Sequence, residues 1–149
     1  MTKVDLLKHM YDWNSDIIEL MRNTNHNVDS KNLNEYHLEG DVWSHTMLTF
    51  FNSFDKCEFN NDIKFVFQLA KPICALFHDI GKPECRFVKN EKVVFYGHES
   101  LSISYAVDFL YYLNNIYKWD QNDFLRLVET VTFSICHHLN IYNIQGLIS

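Results

Sequence analysis

The sequence predicts an all-α protein, a single-domain bundle of five or more helices over residues 1–149. Apolar residues recur at helical spacing in five separate segments. The chain contains only four glycines and two prolines, which is too few for a turn-dense β-sandwich or a Pro-rich linker. Its 149 residues suit one domain, which at this length buries about two-thirds of its unfolded surface.

Two helices are predicted in the N-terminal third of the chain. The first covers residues 2–22, where Thr2 can cap the helix and Asp5 occupies the third helical position. A polar, Asn-rich loop separates it from the second helix. The second helix covers residues 41–55, and Asp41 suits its N-terminus.

Three more helices are predicted in the remainder of the chain. The third covers residues 60–77, and Pro72 inside it predicts a kink or a split into two helices. The fourth and fifth cover residues 98–117 and 121–138. Residues 83–97 hold two short runs rich in Val and Phe, so a small hairpin or an irregular loop is predicted there.

Charge and cysteine content restrict the partners and the compartment. The net charge of -6 offers no basic surface for non-specific binding of duplex DNA, so any contact with nucleic acid must be local. No apolar run reaches the roughly 18 residues of a membrane span. The four cysteines include no Cys-x-x-Cys pair, and no secretory signal precedes them. Reduced thiols in the cytoplasm are therefore predicted.

The dipeptide His78-Asp79 is the first candidate for chemistry. It stands where an apolar helix ends, before Lys82. Imidazole and carboxylate at the edge of a core are both ligands for a divalent metal. An isolated pair of this kind has an ordinary alternative, a helix end with a solvated Asp and a half-buried His.

Further histidines stand on the other predicted helices. His45 lies on an apolar face of the second helix, and a buried structural histidine would explain it equally well. His98 opens the fourth helix, and His137 and His138 close the fifth, where a positive charge favours a helix C-terminus. Each has a structural interpretation alone, but their ordered succession around the His-Asp pair indicates a shared metal site.

These segments resemble the HD superfamily of metal-dependent phosphohydrolases. The likeness is carried by Glu39-Gly40-Asp41-Val42-Trp43-x-His45-Thr46, His78-Asp79-Ile80-Gly81-Lys82-Pro83 and Gly97-His98-Glu99. They are most similar to the HD domain of tRNA nucleotidyltransferases and to the HD domain fused to polynucleotide kinase in bacterial and phage RNA end-healing enzymes. The likeness extends from about residue 37 to residue 142.

The resemblance implies an HD-domain fold that binds one or two divalent ions at its centre. The implied ligands are His45, His78, Asp79, His98 and either His137 or His138. Asp79 would bridge two ions. The spacing from Ile135 favours His138, whereas the match to His137-x-Leu139 favours His137. Imidazole and carboxylate ligands suit Mn, Fe, Co, Ni or Zn better than Mg.

The resemblance also implies roles for charged residues near this metal set. The metal would lower the pKa of a bound water and hold phosphate oxygens. Lys82 and Arg86 would join Asp79 as catalytic residues by stabilising charge that develops on phosphorus, or they are solvated helix-end charges. Glu39 and Asp41 would orient the ligands, although Asp41 has the alternative role of helix cap.

One departure from the family concerns the end of the metal set. The family usually supplies a further Asp from a later helix, and no Asp follows Asp123 here. Three explanations stay open. The chain is a truncated or split version, His37 or water takes the place of that Asp, or the first metal site is weakened.

The expected activity is metal-dependent hydrolysis of nucleotide or RNA-end phosphoesters, either a 2′,3′-cyclic phosphate or a phosphate monoester. One alternative is a nucleotidase acting on free mononucleotides, because a fold does not fix its substrate. Another is a degenerate HD domain that binds a nucleotide or a partner without turnover. No Gly-x-x-x-x-Gly-Lys-Ser/Thr motif occurs, so a kinase or ligase partner would be a separate polypeptide. The expected location is the cytoplasm of a bacterial or phage-infected cell.

Overall fold

The computed structural model describes residues 1–28, 40–55 and 68–137, and the all-α prediction is confirmed. Within these ranges the helices are α1 Lys3–Arg22, α2 Val42–Asp55, α3 Ala70–Phe77, α4 Lys82–Cys85, α5 His98–Tyr117 and α6 Gln121–Cys136. Strands β1 Phe87–Lys89 and β2 Lys92–Val94 form one antiparallel hairpin between α4 and α5. No helix in the described ranges is long and apolar enough to cross a membrane.

Helix α1 begins as predicted but is broken in its middle. The Asp5 amide donates to Thr2 Oγ1 (3.1 Å) and the Thr2 amide donates to Asp5 Oδ2 (2.9 Å), forming a capping box. At Asn14 the backbone leaves the helical region (φ -163, ψ 85). The Asn14 side chain accepts from the Ile17 amide (3.2 Å) and so caps the second half of the helix.

Helices α2 and α3 also begin for local reasons. Asp41 caps α2, because its carboxylate accepts from the Ser44 amide (2.8 Å) and hydroxyl (2.6 Å). The predicted third helix lies partly outside the described ranges. In the described part the helix begins at Ala70, so Pro72 falls in its first turn, where a missing N–H removes no helical hydrogen bond. Gln68 is helical and Leu69 lies in a turn, so the described residues show a break between two helical segments just before Pro72, in agreement with the predicted split.

Helix α3 is the centre of the core. All of its eight residues are buried, and it packs against α2, α5 and α6. At its C-terminal end the Phe77 ring stacks on Phe109 of α5 with centroids 4.8 Å apart. The chain segment that follows Phe77 therefore leaves the most constrained helix of the molecule at a fixed position.

The segment 83–97, predicted as a hairpin or a loop, contains the hairpin. Its two-residue turn is Asn90-Glu91, both with positive φ (52 and 62), as the twist of a tight hairpin requires. Helix α4 immediately before it lies against α5 without room for a side chain at Gly81. A Cβ there would come within 2.5 Å of the His98 carbonyl oxygen.

Candidate metal centre

The carboxylate of Asp79 is the centre of the candidate site. His78 Nε2 lies 3.0 Å and His45 Nε2 3.5 Å from Asp79 Oδ2, and His98 Nε2 lies 3.6 Å from Oδ1. Ligand atoms of His45, His78 and Asp79 all fall within 4.8 Å of one another. Asp79 is only 5% exposed. The structure thus brings together four of the residues predicted as ligands.

Three helices and one tight turn hold these side chains. His45 is in the first turn of α2, His78 is the C-cap of α3, and His98 is the first residue of α5. Asp79 lies in the turn between α3 and α4. The Gly81 amide donates to Ser102 Oγ of α5 (2.9 Å), so this turn is fastened to the helix that carries His98.

The hydrogen bonds of the imidazoles suit metal ligation. His78 Nδ1 lies 3.0 Å from the Ala75 carbonyl oxygen, and His98 Nδ1 lies 2.9 Å from the Phe95 carbonyl oxygen. A carbonyl only accepts, so each Nδ1 carries the proton. In the neutral ring this leaves the lone pair on Nε2, the atom that faces Asp79. The residues present therefore fit a divalent ion with nitrogen and oxygen ligands.

Lys82 is a buried cation beside the same carboxylate. It is 7% exposed, its Nζ lies 3.3 Å from Asp79 Oδ2, and it is 5.1 Å from the centroid of the Phe95 ring. Its Nζ also donates to His26 Nε2 at 3.1 Å. A positive group of this kind, held beside the candidate ligands, can neutralise an oxygen of a bound phosphate.

Sequence reasoning missed His26, which is 4% exposed. It lies in the Asn-rich segment predicted as a polar loop. Its amide and Nδ1 both donate to the Gly40 carbonyl (2.8 and 3.0 Å), which places its accepting Nε2 against Lys82. His26 is buried because the backbone of its segment pairs with the residues that begin α2. Such pairing leaves no regular spacing of apolar residues in the sequence, so the sequence does not predict it.

The substitution His26→Phe is expected to lower the free energy of unfolding by about 1–3 kcal/mol, because a buried ammonium loses its acceptor while the ring volume is retained. Urea denaturation measures this. The matched control is His9→Phe, since His9 bonds Tyr117 (2.6 Å) at a more exposed position. The control should change stability by less than about 1 kcal/mol. An equal effect of both substitutions would refute a special role for the His26–Lys82 contact.

Other predicted site residues in the described ranges lie elsewhere. Arg86 donates from Nε to the Asn25 carbonyl (2.9 Å) and from Nη2 to the Asn27 carbonyl (3.0 Å), so its guanidinium holds the loop that contains His26. Asp41 is occupied as the cap of α2. His137 is exposed at the end of α6, stacks on Phe133 at 4.1 Å and does not contact Asp79.

Three predicted residues lie outside the described ranges, namely His37, Glu39 and His138. Comparison with models of known protein families, with curated proteins and with solved structures finds no match. The likeness to the HD superfamily thus rests on the sequence segments. The arrangement of imidazoles, carboxylate and ammonium is an observation independent of that likeness.

The buried charges shift one another's pKa values. Burial alone would raise the pKa of Asp79, but the neighbouring His78, together with His98 and Lys82, lowers it well below the usual range. Burial opposes the charge on His78, yet the Asp79 carboxylate outweighs it and raises the pKa of His78. The pKa of His98 is raised in the same way, against burial, chiefly by its hydrogen bond to Asp79.

These shifts predict a pH dependence of stability for the protein in EDTA. The raised pKa values of His78 and His98 contribute stability that is fully present below the unfolded-state pKa of about 6.5 and is lost as the pH rises through their folded pKa values. The lowered pKa of Asp79 contributes stability above the unfolded value of about 3.8, which is lost as the pH falls through the folded pKa.

Urea titrations at a series of pH values in EDTA are therefore expected to show stability falling on the alkaline side of about pH 6.5. Saturating metal should reverse that slope, because ligation displaces protons from the imidazoles and tightens as the pH rises. The double variant His78→Gln/His98→Gln should lose most of the dependence in both conditions. A slope in EDTA that the double variant retains would show that other groups cause it.

Proposed function

We propose that this protein is a divalent-metal-dependent phosphohydrolase. The observation that carries the proposal is the convergence of His45, His78 and His98 on one buried carboxylate, Asp79, with a buried ammonium beside it. Holding one buried and three half-buried ionisable groups around a buried carboxylate is costly unless they serve a ligand. The resemblance of the surrounding sequence segments to the HD superfamily supports the same reaction class.

The chain's own residues have separate tasks in this reaction. His45, His78 and Asp79 would hold a divalent ion, and His98 faces the second oxygen of the Asp79 carboxylate. Such an ion, when bound, supplies Lewis acidity and an acidified water. The Ala75 and Phe95 carbonyls keep the histidine protons on Nδ1, away from the ion. Lys82, held in place by His26, neutralises charge on the phosphate.

The proposed substrates are nucleotide or RNA-end phosphoesters, as 2′,3′-cyclic phosphates or phosphate monoesters. The resemblance to HD domains of tRNA nucleotidyltransferases and RNA end-healing enzymes supports this class. We also propose the cytoplasm as the location. The thiols of Cys74, Cys85 and Cys136 are free, as a reducing compartment favours.

The test is release of inorganic phosphate from a 2′,3′-cyclic nucleotide, a free mononucleotide and a 3′-phosphorylated oligonucleotide. Mn, Fe, Co, Ni, Zn and Mg are supplied in parallel reactions. Turnover with a transition metal supports the proposal, and the preferred substrate separates RNA-end processing from a mononucleotidase. Metal binding without release from any of the three substrates would contradict the proposal and favour a binding domain.

A further inference from the structure

A cavity of about 440 Å³ lies between α5 and the break of α1 at Asn14. Its volume suits a small molecule, and it is lined by none of the candidate metal ligands. The residues of its α5 wall are three or four positions apart, so they lie on one face of that helix. The lining includes Trp13 and Asn14 of α1 and Leu101, Ser104, Tyr105 and Asp108 of α5.

Two aromatic rings form a corner of this cavity. The rings of Trp13 and Tyr105 stand at 85° to each other, with centroids 6.2 Å apart. Phe77 and Phe109 of the core pack against the Trp13 ring at 5.6 and 5.4 Å, which fixes its position. Among the described residues no lysine or arginine lies over either ring. The negative faces of the two rings can therefore attract a cation from outside the chain.

A carboxylate is held at the same corner. Trp13 Nε1 donates to Asp108 Oδ2 at 2.8 Å, which orients the carboxylate. Asp108 is exposed, and no other hydrogen bond or ion pair joins it to the residues that the structure describes. The Tyr105 hydroxyl donates to Glu84 Oε1, so a second carboxylate lies at the outer end of the tyrosine ring. The corner is therefore negatively charged.

The charge of this corner decides which ligands suit it. Two carboxylates repel phosphates and other anions. A neutral molecule that fills the cavity removes water from Asp108 without compensating its charge, which costs free energy. The one group of three metal-binding side chains in the described ranges surrounds Asp79, outside the cavity. An organic ammonium group, by contrast, is attracted by the carboxylate and by both rings at once.

We propose that the corner of Trp13, Tyr105 and Asp108 binds a small organic cation that carries a quaternary or alkylated ammonium group. The ammonium group lies against the two rings and faces Asp108 Oδ1, the oxygen that Trp13 does not bond. A quaternary nitrogen suits aromatic walls because it has no N–H that needs an acceptor. The site shares no residue with the candidate metal centre, so its test is independent of the proposed phosphohydrolase activity.

The probe is choline, compared with its neutral carbon analogue, in which a tert-butyl group replaces trimethylammonium. The indole N–H signal of Trp13 is followed by NMR in the isotope-labelled full chain in EDTA, and its loss in Trp13→Phe assigns it. Choline should shift this signal with a dissociation constant of about 1 mM or below. The neutral analogue should bind at least about tenfold more weakly, because it has the shape without the charge.

Three variants locate the binding. Asp108→Asn removes the charge but keeps an oxygen that accepts from Trp13, so choline should bind about fivefold more weakly. Tyr105→Leu removes one ring and should weaken binding about threefold or more. The matched control, Glu129→Gln, removes one exposed negative charge from α6 outside the cavity and should leave binding unchanged.

Circular dichroism verifies that all variants are folded. Equal affinity for choline and its neutral analogue would overturn the cation site, and so would wild-type affinity in folded Asp108→Asn. The absence of any shift in the Trp13 signal up to about 50 mM choline would overturn it as well.

Discussion

The substitution Asp79→Ala is expected to abolish phosphate release while the helix content is retained. The Asp79 carboxylate is the common neighbour of His45, His78 and Lys82, so its removal takes away the anionic ligand and the counter-charge of the buried Lys82 ammonium. The loss in turnover should reach at least about 10³-fold, since metal activation contributes several kcal/mol to the transition state. Initial rates with each metal, beside far-UV circular dichroism, measure it.

Two further variants keep this test decisive. Asp12→Ala removes an exposed carboxylate from α1 and should leave turnover near the wild-type rate. Asp79→Asn keeps the shape of the side chain but not its charge, so it tests ligation if the alanine variant unfolds. Loss of one partner from a buried charge cluster costs about 3–5 kcal/mol. Turnover that persists in folded Asp79 variants would place the chemistry elsewhere.

The second large effect is expected from Gly81→Ala. A Cβ at Gly81 would lie 2.5 Å from the His98 carbonyl oxygen, 2.9 Å from the Ser102 amide nitrogen and 3.0 Å from the Leu101 Cβ. Two of these neighbours are backbone of α5, so the turn and α5 must move apart. We expect the free energy of unfolding to fall by about 1–3 kcal/mol. Metal affinity should fall as well, because His98 moves away from Asp79.

A comparison with Ser102→Ala separates the two contributions at this position. Ser102→Ala removes only the hydroxyl that accepts from the Gly81 amide (2.9 Å), so it should cost about 1 kcal/mol and change metal affinity little. Isothermal titration with Mn or Co gives the affinities, and urea denaturation gives the stabilities. Wild-type metal affinity in Gly81→Ala would show that the spacing of α4 and α5 does not position His98.

Helix starts were predictable because their determinants lie within a few residues. The capping box of Thr2 and Asp5 and the cap at Asp41 both depend on a side chain that reaches an amide three residues away. The break at Asn14 was not predicted. Its apolar neighbours keep helical spacing, and a single Asn lowers helix propensity only slightly. At the break the Asn14 side chain accepts from the Ile17 amide (3.2 Å), so the second half of α1 has a local cap of its own.

The candidate site likewise has residues that the sequence identified and contacts that only the structure shows. The sequence by itself determined the all-α fold and, through motif likeness, selected His45, His78, Asp79 and His98. Only the tertiary structure decided that Lys82 contacts both Asp79 and His26, and that Arg86 binds loop carbonyls instead of the candidate site. The physical reason is range. Periodicity and capping act over three or four residues, whereas the His26–Lys82 contact joins positions 56 apart in the sequence.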